Sequence, residues 1–237
     1  MTEIFAASRL KEARAQKHID ELVAAIDAHA AAHPPESEFT AATETEIARI
    51  AVRVRGPPPE IGPIIGDVIH NLRAALDLMA VELVGLNGGN TNNVYFPFCN
   101  SAGDLGAAIK HRNFDRAGDA AAKLLTELKP YRDGNVELRA LHDLDIQDKH
   151  HTLIPTAQLA TTSQVTVDMS SGKPVIKLVE GSLPDVRYCF PADSAFEGSE
   201  LIPTLNGLLK STDEVLAMFE SVGKQSSAEP ALNHTAP

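Results

Sequence analysis

Two groups of side chains in this 237-residue chain have the types and spacing to do chemistry. The first lies in Glu137 to Thr152, ELRALHDLDIQDKHHT. Wound as a helix, this stretch puts Leu138, Leu141, Asp145, Asp148 and Thr152 on one stripe. The stripe starts apolar and ends in carboxylates, yet it is the face that should enter a core. Carboxylates are seldom buried without partners, so something must answer Asp145 and Asp148. His142, Lys149, His150 and His151 crowd the same turns. The second group is His70, Arg73 and Asp77, stacked at spacings of three and four residues on one flank of an apolar helix.

Three kinds of chemistry fit this set. Helices packed side by side would let Arg73 bond Asp145 or Asp148, giving an internal salt-bridge network that holds helix register. A metal site is a second reading, because Asp67-x-x-His70 and Asp148-x-x-His151 each space an acid and a histidine three apart. A third is acid–base work on a phosphodiester, with a histidine moving the proton and Arg73 facing the charge that builds on phosphate. No nucleophile elbow and no Gly-rich phosphate loop ending in Lys-Ser/Thr is present. On this reading His70, Arg73, Asp77, Asp148 and His150 are the candidate catalytic residues. His142, Asp145, Lys149 and His151 are the candidate substrate-binding residues. No cofactor and no resident metal ion is assigned.

These residues need elements to hold them. Ile65, Val68, Ile69, Leu72, Leu76, Met79 and Leu83 repeat at helical spacing and predict a helix over 61–86, ended by Gly85 and the Asn87-Gly-Gly-Asn90 loop. A long helix over 3–32, capped by Thr2, precedes it and stops at His33-Pro34-Pro35. Between them, 39–55 alternates as one half-buried strand, with Arg49, Arg53 and Arg55 along its polar face. That face meets either phosphate or neighbouring glutamates. Val94–Phe98, VYFPF, is a loop or edge segment because of Pro97. Short helices follow over 105–111 and 117–128. Strands are expected over 157–168, 174–180 and 185–190, with a turn at Ser171-Gly172. A last amphipathic helix covers 200–222. His18, His29, His33 and His111 read as surface histidines.

The strands cluster instead of alternating with helices. The fold class is therefore α+β, a helical bundle whose two long central helices pack with a small antiparallel sheet. Residues 1–222 read as a single domain and 223–237 as a disordered tail. A net charge of −11 excludes a general nucleic-acid coat protein, though not a local basic patch. Cys99 and Cys189 lack zinc-finger spacing and read as buried thiols of a reducing compartment. No signal peptide and no run of roughly 18 apolar residues appears, which predicts a cytoplasmic protein with no membrane partner.

The segment Gly66-Asp67-Val-Ile-His70-Asn-Leu-Arg73-Ala-Ala-Leu-Asp77 resembles the G-E-x-x-H-x-L-R-S-A-L-D-H helix of an uncharacterised bacterial family. Asp145-Ile-Gln-Asp148-Lys149-His150-His151 is similar to that family's N-I-D-K-H-R segment, and the FPF run lies between the two as it does there. The likeness spans about residues 61–155 and rests on short motifs. The first motif is also distantly similar to the HEPN superfamily of helical ribonucleases and toxins. Those proteins carry an arginine, usually a polar neighbour, then a histidine four to six positions beyond the arginine. Arg73 matches the arginine, Ala74 departs from the neighbour, and Asp77, Leu78, Met79 and Ala80 leave no histidine at the expected place. The resemblance implies a HEPN-like helical binding protein with catalysis lost, a homodimer, and a toxin or phage-defence setting by analogy alone. The rival readings are a metal-independent endoribonuclease acting on RNA through the same cluster, and a metal-binding helical protein.

Overall fold

The computed structural model describes residues 4–40, 49–151, 153–160, 165–168, 170, 175–178 and 185–228. Its organising element is α2, Ile61–Leu86, which has the bounds expected from its apolar stripe. Ile65, Val68, Ile69, Leu72, Leu76, Met79 and Leu83 are all buried. They are too many for one neighbour, so α2 is packed on several sides. α1 (Ala6–Ala32) makes the most extensive contact, and α5 (Val136–His150) and α6 (Leu201–Ala228) also lie against α2. One hydrophobic cluster joins Ile19 and Leu22 of α1, the α2 stripe, Leu141 and Leu144 of α5, and Leu208, Leu216 and Phe219 of α6. Two short helices, α3 (Leu105–His111) and α4 (Asp119–Leu128), close one side through Leu105, Ala121 and Leu125.

The strands are minor and antiparallel, as the α+β expectation required. The 39–55 stretch is not one strand but a pair, β1 (Glu36–Thr40) and β2 (Arg49–Arg53), with Glu36 opposite Arg53. Alternation cannot report a chain reversal, so two strands joined by a connection read as one run. β3 (Thr156–Ala160) pairs with β6 (Asp185–Cys189), Thr156 opposite Cys189. Nested between them, β4 (Val165–Asp168) pairs with β5 (Val175–Leu178), Val165 opposite Leu178. The Ser171-Gly172 turn and the Thr2 cap lie outside the described residues, as does 229–237.

Two further features differ from the sequence expectation. α6 continues to Ala228, so 223–228 are helical and not the start of a tail. Gly223 reads as a helix stop, yet it is a close-packing position: a Cβ there would lie 3.3 Å from Leu86 Cδ1. His18 is buried, with Nδ1 3.1 Å from Glu21 Oε2, so it is not a surface histidine. The start of α1 is also held from outside. Its first turn has no acidic residue and no side-chain cap. The Glu82 carboxylate of α2 faces the backbone N–H groups of Ala7 and Ser8 instead, beside donors that every helix start leaves unpaired. Burial raises the Glu82 pKa in return. In the same turn, Arg9 of α1 donates to Glu220 of α6 at 2.8 Å.

Candidate functional site

α5 is set by its ends. Asn135 accepts the Leu138 N–H at 3.1 Å, an N-cap, and Lys149 and His150 fall in the last turn where cations suit the helix dipole. Arg139 then fixes how the helix lies. Its Nη1 donates to the Cys99 carbonyl at 2.7 Å while Nη2 meets Asp143 Oδ1 at 2.6 Å. The face this leaves against α2 carries Leu138, Leu141, Leu144 and Asp145, all buried, so the stripe read from the sequence does turn inward. Thr152, its last expected member, lies outside the described residues.

Closeness between the two helices depends on Gly66. A Cβ at that position would come within 2.7 Å of Asp148 Cγ. Hydrogen alone therefore lets the Asp148 carboxylate lie against the α2 backbone. The Leu153 backbone N–H bonds that carboxylate, but burial and the charges of Asp145 and Asp67 push its pKa up from the ordinary value.

Asp145 is the other inward acid, with its side chain 5% exposed. It is answered twice. Oδ1 lies 3.3 Å from His70 Nδ1 of α2, and Oδ2 lies 2.5 Å from Lys149 Nζ one turn on. An ionised carboxylate only accepts, so His70 must donate from Nδ1, which leaves Nε2 for an outside partner, an acceptor in the neutral ring and a donor in the protonated one. His70 is 57% exposed and Lys149 55% exposed. The pair thus forms an open rim of two nitrogen groups standing on one buried acid.

Arg73 points elsewhere. Its side chain is only 10% exposed, and it does not bond Asp145 or Asp148, as the sequence suggested it would. Nη1 lies 2.6 Å from Asp77 Oδ1 on its own helix, close enough for an ion pair, although no acceptor is aligned with that nitrogen's N–H groups. Nε donates to His142 Nδ1 at 3.4 Å, and the guanidinium carbon sits 4.7 Å from the centre of the Phe98 ring. His142 stacks on Phe98 with ring centres 4.6 Å apart and planes 3° from parallel. To accept from Arg73, Nδ1 of His142 must be unprotonated. Its environment agrees: burial first, then the charges of Arg73 and Arg139, lower its pKa from 6.5 to about 4. Asp77 also accepts the Phe96 N–H at 2.8 Å, which pins the loop that carries Phe98.

The nine candidates therefore divide three ways. His70, Asp145, Asp148 and Lys149 share the rim. Arg73, Asp77 and His142 form an inner brace with Phe98. His150 and His151 are exposed, and among the described residues neither bonds any member of the cluster. Helix periodicity could place His150 near α5's end but not on its inward side. Phe98 and Gly66 were not singled out for a role. A loop phenylalanine has no periodic neighbours to reveal its contact, and a glycine shows only what it lacks.

Among the described residues, no three His, Cys, Asp or Glu side chains converge as a metal-binding group. His151 lies past the end of α5. No described helix is long and apolar enough to cross a membrane. No protein-family model matches the chain, and neither a curated protein nor a solved structure is significantly similar to it.

Proposed function

We propose that this chain is a HEPN-like helical binding protein, without the family's cleavage chemistry, whose rim of His70 and Lys149 grips a phosphate-bearing ligand such as an RNA backbone. The observation that carries this reading is the depth of Arg73. An arginine that stabilises charge on a reacting phosphate has to reach it. Arg73 is 8% exposed overall, paired with Asp77, and set against Phe98 and His142. It braces the helices. The groups that do reach solvent are the Lys149 ammonium, suited to an anion, and the His70 ring, whose Nε2 donates to an anion's oxygen only in the protonated form; Asp145 orients both. A homodimer belongs to the same reading, and light scattering on the purified chain tests it.

One observation favours the rival from another class. A buried carboxylate that orients an exposed imidazole through Nδ1 is the arrangement of a general base. A metal-independent endoribonuclease would use His70 in that role, with Lys149 on the phosphate. Incubation of the protein with a labelled RNA in the presence of a chelator separates the two. RNA bound and left intact supports the binding reading. Cleavage lost in His70→Ala, with the protein still folded, supports the enzyme. Neither binding nor cleavage overturns both.

A further inference from the structure

A second polar site lies away from the α2–α5 cluster, where the end of α1 meets β2. A cavity of about 240 Å³ opens there, lined by His33, Glu36, Arg53 and Arg55 among others. Arg53 ends β2, Arg55 follows two residues on, and both line the cavity. We propose that this cavity binds the phosphate or diphosphate group of a small ligand. Arg55 is exposed, and among the described residues no hydrogen bond or ion pair engages it. Arg53 has a partner within the chain and adds charge to the cavity without being its free donor. His33 closes the wall, its ring centre 4.8 Å from that of His29.

The size of the space narrows the ligand. Pockets that enclose drug-sized molecules start at roughly 300 Å³. This one takes a charged head group and leaves the rest of the molecule outside. Guanidinium groups match phosphate oxygens in a planar, two-pronged geometry, which a lysine cannot do. Two features oppose an anion: the carboxylate of Glu36 and the carbonyl end of α1. Glu36 stands opposite Arg53 in the β1–β2 ladder, so it offsets one guanidinium and leaves Arg55 in excess. The sequence-level choice for this arginine face, glutamates or phosphate, thus has both answers: Arg53 faces a glutamate across the ladder, and Arg55 faces the cavity.

The site makes an unusual demand, because removing its acid should improve it. Inorganic pyrophosphate is the probe, titrated into the full chain by calorimetry. Arg55→Glu should weaken binding at least about tenfold, the worth of one charge-assisted contact. Glu36→Gln should tighten it about threefold by lifting a repulsion. Lys149→Ala, at the other site, should leave the Arg55-dependent affinity unchanged, so failure of one site is distinguishable from failure of the other. No binding by wild type at millimolar pyrophosphate overturns the proposal. So does binding that ignores both Arg55→Glu and Glu36→Gln. Where Arg55→Glu fails to fold, Glu36→Gln decides alone, and equal or weaker binding counts against the site.

Discussion

His142 sits where a proton is least welcome, between Arg73 and the carbonyl-bound Arg139, with its ring against Phe98. The unfolded chain protonates this histidine near 6.5, whereas the folded chain resists until about 4. As pH falls, the unfolded state takes up the proton first. Stability from this group is therefore complete above about 6.5 and is lost progressively toward 4. Partial exposure screens the effect, which leaves on the order of 1 kcal/mol. His142→Phe keeps the stack and removes the titration. It should cost about 1 kcal/mol at pH 7 for the lost acceptor, and flatten the acid side of the stability curve, as read by denaturant unfolding between pH 4 and 7. Asp148 has the opposite sign. Its folded pKa is raised, so its contribution favours folding below 3.8 and is lost as pH rises through the folded value. At pH 7 the ionised carboxylate is a cost. Asp148→Asn should raise the melting temperature at pH 7 and lose that gain in acid. A residue that weakens the fold at working pH while lining an open rim is a candidate for function, since stability does not explain it.

Between elements, Gly66 is the tightest point of the α2–α5 contact. Alanine there would gain about 1 kcal/mol of helix propensity and drive its Cβ into the Asp148 carboxylate. The clash meets the end of a side chain and not backbone, so Asp148 can turn away. Gly66→Ala should therefore change stability by less than about 1 kcal/mol, but move Asp148 off α2 and weaken ligand binding at the rim. Melting curves and binding titrations measured together check that split. This contact also marks how far the sequence could be read. The inward turn of Asp145 was legible, because Leu138, Leu141 and Asp145 share a helical stripe and only one side of α5 is apolar. The bounds of α2 were legible for the same reason, with an Asn-Gly-Gly-Asn loop to end it. The partner of Arg73 was not. Asp77 lies one turn away on the same helix, Asp145 and Asp148 lie across an interface, and spacing alone does not rank the three. Phe98 decides it: the ring occupies the guanidinium from a loop that Asp77 itself holds.

For the molecule as a whole, a charge of −11 makes any anion site a local exception, and two places qualify. At the rim, His70 and Lys149 stand on Asp145; at the α1–β2 cavity, Arg55 outweighs Glu36. Neither was legible as a site from composition, which averages such patches away. The α+β class was legible, because clustered short strands between long amphipathic helices leave few other packings. The split of 39–55 into two strands was not, and neither was the continuation of α6 past Gly223, where packing against Leu83 and Leu86 overrides a stop signal. The division of the cluster into an inner brace and an open rim carries the functional reading. The most direct test measures affinity for a short single-stranded RNA alongside melting temperature in two variants. Lys149→Ala is expected to lose most of the binding with little change in melting, and Arg73→Lys to melt earlier, with binding at the rim preserved wherever the protein is folded. RNA held by Lys149→Ala as tightly as by wild type would contradict the account.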